Sequence, residues 1–164
     1  MIKRFMFDHL SDKARIWIYG FRKPLSVEDK QKIDTEFNRF VSGWNTHSVP
    51  VQGDFVILED RFVILAAEDS VSGCSIDSSV SVFKHLQKNY HLDALDFDLV
   101  YYKIGNTIDA VRRDDFRVMV GNGKISVDTE VFDLTLTTLG ELRSGRFRIP
   151  FEKSWHWRAF KQSA

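Results

Sequence analysis

The sequence predicts an α+β fold: a ferredoxin-like βαββαβ antiparallel sheet with two helices on one face, followed by a C-terminal α/β extension. Over residues 14–104, segments typical of strands and of amphipathic helices follow one another in the order strand, helix, strand, strand, helix, strand. Hydrophobic residues make up 43% of the chain, which is enough for a substantial core. No linker or low-complexity tract divides the 164 residues. We therefore expect residues 1–164 to form a single domain, with residues 105–164 packed on the core.

The first strand and the first helix follow from local patterns. Arg15–Gly20 reads RIWIYG, an alternation of β-branched and aromatic residues that is typical of a strand. Ser26 is placed to cap the helix that follows, and Gly43 lies near its end. The apolar face of this helix consists of Ile33, Phe37, Phe40, Val41 and Trp44. Residues 1–13 are expected to form an arm or an additional edge strand.

A hairpin and a second helix complete the middle of the chain. The tetrapeptide FVIL stands at 55–58 and again at 62–65, and Glu59–Asp60 between them indicates a turn. The segment SVSG then leads into a helix from about residue 76 to residue 90, with an apolar face of helical period.

The C-terminal part is predicted with more irregular structure. The strand LDFDLVYYKIG turns at Gly105–Asn106 into a returning strand, TIDAVR. A short helix from Asp114, ended by Gly-Asn-Gly, precedes a strand near residues 129–134. LTTLGELRSGRFR is expected to be a loop with a partial helix, and the aromatic tail from Pro150 ends in a short amphipathic helix. We expect this tail to pack against the sheet or against a partner subunit.

Composition and charge exclude several classes of protein. Lys plus Arg and Asp plus Glu both number 23, so no global basic field attracts nucleic acid or an anionic membrane. The longest apolar runs, FVIL and FVILAA, are far too short to span a membrane. A single cysteine fits a reducing compartment, and the charged first residues lack the apolar core of a signal peptide. We therefore expect a soluble cytoplasmic protein.

Six motifs in a fixed order carry a resemblance to a known family. They are WIY at Trp17–Tyr19, W-x-x-H at Trp44–His47, RFVILA at Arg61–Ala66, SGCSIDSSV at Ser72–Val80, GKISVDTEVFD at Gly123–Asp133 and PFEKSWH at Pro150–His156. This set resembles a family of small, uncharacterised bacterial proteins that genomes often label "ABC transporter ATPase". The resemblance covers most of the chain from about Ala14 to Phe160. It implies no catalytic role, because the family has no established activity.

The ATPase label does not fit this sequence. ATPases of that type need a phosphate-binding loop of the form G-x-x-x-x-G-K-[ST] after a strand. The nearest fragment ends in Gly123-Lys124, but Val118 stands in place of the first glycine and Ile125 in place of the Ser or Thr. We therefore expect no ATP hydrolysis of the ABC type.

Cys74 is a candidate nucleophile. It lies at the start of the predicted second helix, where free backbone N–H groups and the helix dipole favour a thiolate. His47 or His156 would act as its base, and Asp77 would orient the histidine. The alternative is structural: free cysteine is commonly a small buried residue, and Ser75 and Asp77 would then cap the helix. The charge of Asp77 also opposes a thiolate.

The same loop is a candidate anion-binding site. Gly73 lets backbone amides approach a ligand, and Ser72, Ser75 and Ser78 offer hydroxyl groups beside a helix start. A phosphate or a carboxylate would suit it, although Asp77 opposes a strongly anionic ligand. Helix capping explains the same residues without a ligand.

Other ligand classes have less support. The five histidines form no metal-binding motif and there is no second cysteine, so neither a metal nor a cofactor is expected. Trp17 and Tyr19 alternate with isoleucines, which leaves one apolar face of the sheet for stacking bases, but no RNA-recognition signature is present. That face is more readily covered by the C-terminal segment or by a second subunit, which makes a homodimer an expected assembly.

Three functional hypotheses result. The favoured one is a cytoplasmic binding module for a small anionic ligand or a protein partner, without ATPase activity. The alternative is a thiol-dependent enzyme that uses Cys74 with a histidine. The third is a single-stranded nucleic-acid binder, against which the zero net charge argues.

Overall fold

A computed structural model describes residues 7–68 and 73–161, and for residues 73–76 it describes the backbone alone. The strands are β1 (Arg15–Gly20), β2 (Asn45–Thr46), β3 (Val49–Pro50), β4 (Gly53–Leu58), β5 (Phe62–Ala67), β6 (Leu99–Ile104), β7 (Thr107–Arg112), β8 (Glu130–Phe132) and β9 (Arg148–Pro150). The helices are α1 (Val27–Ser42), α2 (Gly73–Tyr90), α3 (Arg113–Gly121), α4 (Leu139–Arg143) and α5 (Trp155–Phe160), with a 3₁₀ turn at Phe151–Lys153. The fold is thus a mixture of helices and antiparallel sheets, as predicted.

The first sheet has the strand order β1-β5-β4, and both pairings are antiparallel. This is the order expected for the first three strands of a ferredoxin-like unit. The predicted turn at Glu59–Asp60 is confirmed. Both residues have positive φ, 57° and 51°, which a tight hairpin turn of type I′ requires.

The fourth strand of the predicted ferredoxin-like sheet lies elsewhere, which corrects the predicted topology. β6 does not pair with β1 but forms a second antiparallel sheet in the order β7-β6-β8-β9. Its apolar residues face both ways, with Tyr101 on one side and Val100 and Tyr102 on the other, so its local pattern fits either sheet. The turn at Gly105–Asn106 gives β6 an immediate hairpin partner in β7, and this local pairing places it in the second sheet.

The two sheets pack face to face between two layers of helices. Ile16 and Ile18 of β1 point toward the second sheet, where Tyr101 and Phe132 meet them. Tyr19 points the other way, into the core that α1 and α2 share with the first sheet. α3 and α5 cover the outer face of the second sheet, which confirms that the aromatic tail packs on a sheet.

The inner face of the first sheet is therefore covered by the chain itself. Of the two covers expected for it, the C-terminal segment and a second subunit, the structure shows the first, and no face is left for stacking bases: Ile16 and Ile18 are only 2% and 7% exposed. The homodimer stays a prediction, without the support of an open sheet face.

The capping of α1 is as predicted. Ser26 Oγ accepts a hydrogen bond from Asp29 N–H at 3.0 Å, and the Asp29 carboxylate accepts one from Ser26 N–H at 3.0 Å. This reciprocal capping box satisfies donors that the first helical turn leaves free. The helix ends before Gly43.

α2 begins earlier than the sequence predicted, at Gly73 rather than near Ile76. Ser75 and Asp77 therefore lie inside its first two turns. An N-cap residue precedes the first helical residue, so neither Ser75 nor Asp77 is the N-cap of α2, which corrects the prediction; the side chain of Ser75 lies outside the described part of the structure.

The described residues before β1 form turns and no strand. Phe7 and Leu10 are buried in the core between the sheets. The Arg143 guanidinium of α4 holds them there by donating to the Phe7 and Leu10 carbonyls at 2.8 and 2.9 Å. It also pairs with the Asp12 carboxylate at 2.8 Å. The start of the chain is thus an arm tied to α4.

Candidate functional site

β1 lies at the edge of the first sheet, and part of its outer edge is unpaired among the described residues. Ile16 N–H donates to the Thr137 carbonyl at 3.0 Å, on the side away from β5. Backbone groups of alternate residues in an antiparallel strand point to the same side. The N–H and C=O groups of Ile18 and the N–H of Gly20 therefore point outward as well, as does the Ile16 carbonyl.

The chain closes this unpaired stretch at both ends. Thr137 stands at the Ile16 end. Beyond Gly20, Arg22 N–H donates to the Asp93 carbonyl at 2.9 Å. We call the outward backbone groups from the Ile16 carbonyl to the Gly20 N–H the β1 window. It is the place where the fourth strand of a ferredoxin-like sheet would pair.

A groove of about 380 Å³ runs along the β1 window. Its walls come from β1, the segment after α2, β6, the start of α3, the end of β8 with the segment before α4, and the start of α5. Phe97 lies in the groove lining and is 66% exposed. The groove volume is in the range of known small-ligand sites.

Gly20 allows Tyr101 of β6 to reach the end of the window. A Cβ at Gly20 would lie 2.5 Å from Tyr101 Oη, closer than any real side chain tolerates. The absence of a side chain at this position thus brings a phenol hydroxyl against the last residue of β1.

Three buried polar atoms in the groove walls have no hydrogen-bond partner among the described residues: Tyr101 Oη, Trp155 Nε1 and His156 Nδ1. An unpartnered buried polar group costs about 1–3 kcal/mol, and native proteins keep few of them. Indole N–H is only a donor, while the phenol and a neutral imidazole nitrogen can donate or accept. An acceptor atom is the partner that the indole N–H lacks, and it would also suit the phenol O–H and a protonated Nδ1.

Burial keeps the two titratable members of this group uncharged. It lowers the pKa of His156 to about 4; the Arg113 guanidinium lowers it further, while Asp133 opposes the decrease. Burial also raises the pKa of the Tyr101 phenol. At neutral pH the groove therefore contains a neutral imidazole and a protonated phenol.

Two arginines in the groove lining carry the free positive charge. Arg15 lies over the Trp17 ring at 5.5 Å, and Arg113 lies over the Trp155 ring at 5.6 Å. Neither forms an ion pair with a carboxylate of the described residues. Stacking on an aromatic face leaves the guanidinium donors at the edge of the plane available to an anion.

The carboxylate in the groove lining, Asp96, is already neutralised. It pairs with Arg22 at 3.0 Å and with Arg112 at 3.1 Å, and its side chain is 18% exposed. The uncompensated charge of the groove is therefore positive, although the chain as a whole is neutral.

The predicted loop site lies mostly where side chains are not described. Ser72 is outside the described residues, and Gly73–Ser75 form the first turn of α2 with backbone alone. Asp77 and Ser78 are exposed on the same helix. The reactivity of Cys74 and anion binding by this loop stay predictions.

The two histidines predicted as bases lie in different parts of the fold. His47 is exposed in the turn of the β2–β3 hairpin, with φ of 50°. His156 is 2% exposed and stacks on Trp155 at 3.9 Å, on the outer side of the second sheet. α2 covers the outer side of the first sheet, and the pairing of either histidine with Cys74 stays a prediction.

The segment around Gly123-Lys124 has a different context from a phosphate-binding loop. It follows helix α3 and leads to strand β8. A phosphate-binding loop follows a strand and opens a helix, so that backbone N–H groups surround the phosphates. The structural context and the sequence departures at Val118 and Ile125 thus both distinguish this segment from a phosphate-binding loop.

The described residues contain neither a metal-binding cluster nor a helix suited to a membrane. No group of three or more His, Cys, Asp or Glu side chains there is placed to hold a metal ion. In the same residues, no helix combines the length and the apolar character that crossing a membrane requires.

Sequence reasoning singled out His156 but not the site to which it belongs. It missed Tyr101, Trp155, Arg15 and Arg113 as groove residues. One signal was available: the Trp155-His156 pair places two rings with polar edges in a short amphipathic segment. The rest has no local signal, because the groove forms only where β6 leaves β1 unpaired.

Comparisons with protein-family models, with curated proteins and with solved structures find no match for this chain.

Proposed function

We propose that the protein is a binding module whose groove beside β1 takes a ligand with a carboxylate or another anionic, hydrogen-bond-accepting group. One observation carries the proposal: Tyr101, Trp155 and His156, each with an unpartnered buried polar atom, line the same groove as two arginines without ion pairs. A carboxylate supplies both the acceptors and the negative charge that this set lacks.

The proposal keeps the hypothesis of a binding module for an anionic ligand but moves the site. The earlier candidate was the segment around Cys74, at the start of α2. The groove has the stronger physical case, because unsatisfied buried donors favour a partner that brings acceptors. The resemblance to the small bacterial family adds no activity to this proposal.

A titration of the ¹⁵N-labelled protein tests the proposal. The probes are glutarate, N-acetylglutamate and a pool of acidic hexapeptides, with N-acetylglutamine as the neutral control. We expect at least one anionic probe to shift the Trp155 indole N–H signal and the His156 ring signals, and the neutral control to shift them less.

Two matched variants locate the binding site. Trp155→Phe keeps an aromatic ring and removes the indole donor. The affinity for the best anionic probe should therefore fall about tenfold. Trp157→Phe makes the same change in the same helix, where Trp157 packs on Phe151 at 5.4 Å and does not line the groove. Equal losses in both variants, or no shift with any anionic probe, would overturn the proposal.

A further inference from the structure

The backbone of β1 indicates which kind of anionic ligand the groove binds. This inference rests on the proposed function. We propose that the groove binds an extended acidic polypeptide segment, which pairs with β1 as an additional strand of the first sheet. The ligand would thus occupy the position that β6 does not take.

The β1 window provides what an added strand needs. It alternates carbonyl and N–H groups at the spacing of a strand: the Ile16 carbonyl, both groups of Ile18, and the Gly20 N–H. An extended segment presents complementary groups at the same spacing. A small carboxylate offers acceptors only, so it cannot pair with the carbonyls of Ile16 and Ile18.

The closed ends of the window limit the length of the paired segment. Thr137 accepts from Ile16 N–H at one end, and Asp93 accepts from Arg22 N–H at the other. At about 3.3 Å per residue, the stretch between Ile16 and Gly20 accommodates about four residues of an added strand. A hexapeptide therefore covers the window with a residue to spare at each end.

Side chains of an added strand would point alternately to the two faces of the first sheet. One set would point to the inner side of the first sheet, where Tyr101 lines the groove, while Trp155 and His156 line the same groove from α5. The other set would meet the exposed ring of Phe97. The structure thus favours an acidic residue next to an apolar one.

Charge complementarity selects acidic segments over neutral or basic ones. Arg15 and Arg113 line the groove without an ion pair to any described carboxylate. The nearby carboxylate of Asp96 is already held by two arginines. Among the charged side chains that line the groove, the two without an ion pair are positive and would repel a basic segment.

The test uses the full chain and a library of acetylated, amidated hexapeptides with one fixed glutamate at the third or fourth position. Binding is followed by tryptophan fluorescence. We expect the best hexapeptide to bind at least about tenfold more tightly than N-acetylglutamate N-methylamide, because it adds several backbone hydrogen bonds.

An N-methyl scan of the best hexapeptide then tests the strand geometry. Methylation of a backbone nitrogen that faces β1 should weaken binding about tenfold or more, and methylation of its neighbours should have little effect. The sensitivity should repeat every second residue. In the complex, hydrogen exchange at the Ile18 and Gly20 amides should slow at least about tenfold.

Two arginine variants test the charge selection. Arg113→Ala should weaken the acidic hexapeptide about three- to tenfold and reduce the salt dependence of binding. Arg117→Ala is the matched control on α3, because Arg117 pairs with Asp114 at 3.0 Å and does not line the groove. It should leave the affinity unchanged.

The outcomes separate this inference from the proposed function. If N-acetylglutamate N-methylamide binds the groove as tightly as every hexapeptide, the binding module stands and the strand addition is overturned. Uniform sensitivity to N-methylation, or unchanged exchange at Ile18 and Gly20 in the complex, overturns it too. If no anionic probe binds, both fail.

Discussion

Two buried tyrosines show at the residue scale how the groove differs from an ordinary core. The Tyr19 hydroxyl hydrogen-bonds with Ser79, and its ring stacks on Phe83 at 4.1 Å. Tyr101 Oη has no partner among the described residues, although its ring is just as buried. The first hydroxyl contributes to stability, whereas the second carries a desolvation cost without a bond.

Replacement of each tyrosine by phenylalanine should therefore have effects of opposite sign. Tyr19→Phe should lower the free energy of unfolding by about 1 kcal/mol, through loss of a buried hydrogen bond. Tyr101→Phe should leave it unchanged or raise it by up to about 1 kcal/mol. Urea denaturation of both variants measures this. A clear loss of stability in Tyr101→Phe would show that its hydroxyl has a partner in the free protein.

His156 should make stability depend on pH. Burial lowers its pKa in the folded chain from 6.5 to about 4. Between these values the unfolded chain binds a proton that the folded chain does not, so stability is full above pH 6.5 and falls as the pH drops toward 4. The loss should be about 3 kcal/mol.

The variant His156→Gln isolates this contribution. It removes the titrating ring, so its free energy of unfolding should fall less than that of the wild type between pH 7 and pH 4. Urea denaturation at several pH values measures both. Parallel pH curves for the two proteins would contradict the buried, neutral state of His156.

At the scale of the element, β1 is a strand with two different edges. One edge pairs with β5 along its whole length, while the other pairs with the chain at Ile16 only. Amide hydrogen exchange depends on such pairing, because a hydrogen-bonded amide must open before it exchanges.

The amides of β1 should therefore exchange at alternating rates. We expect Trp17 and Tyr19, whose N–H groups face β5, to exchange at least about tenfold more slowly than Ile18 and Gly20. Hydrogen–deuterium exchange followed by NMR resolves these four amides. Equal protection at all four would mean that the outer edge is paired, and the groove would then be no site for a strand.

At the scale of the whole molecule, the two sheets share one core. Ile16 and Phe62 of the first sheet belong to the same buried cluster as Tyr101, Phe132 and Leu139 from the C-terminal half. The inner face of the first sheet is thus an apolar surface in any chain that lacks the second sheet.

The chain should consequently unfold as a single cooperative unit. Circular dichroism and tryptophan fluorescence should give coincident urea transitions for the full chain. A fragment of residues 1–97 should lack a cooperative transition and expose apolar surface, because it cannot cover the inner face of its sheet. Native-like, cooperative unfolding of that fragment would contradict a shared core.

The sequence predicted elements whose causes are local. α1 followed from its caps and from the spacing of Ile33 and Phe37, and the hairpin at Glu59–Asp60 followed from two flanking apolar runs. The two-residue strands β2 and β3 were missed, because so short a hairpin leaves no periodic pattern. Local patterns thus predict the longer helices and strands but not elements of two residues.

The choice of partner for β6 and the groove that results could not be predicted in this way. Strand pairing is a competition between distant segments, and β6 is apolar on both faces, so nothing in residues 99–104 favours one sheet over the other. The site residues come from β1, β6, α3 and α5. Only the layer packing brings Arg15 and His156 to the same groove.

The recessed position of the β1 window has a consequence for self-association. An exposed, unpaired strand edge can join the edge of any other folded sheet, and this is a common route to aggregation. Here the window lies in a groove of about 380 Å³ between the layers. A folded sheet brings its own covering layers, about 10 Å away on each face, and these would meet the walls of the groove. The groove therefore admits a lone extended chain but opposes the edge-to-edge pairing of two folded copies at this strand.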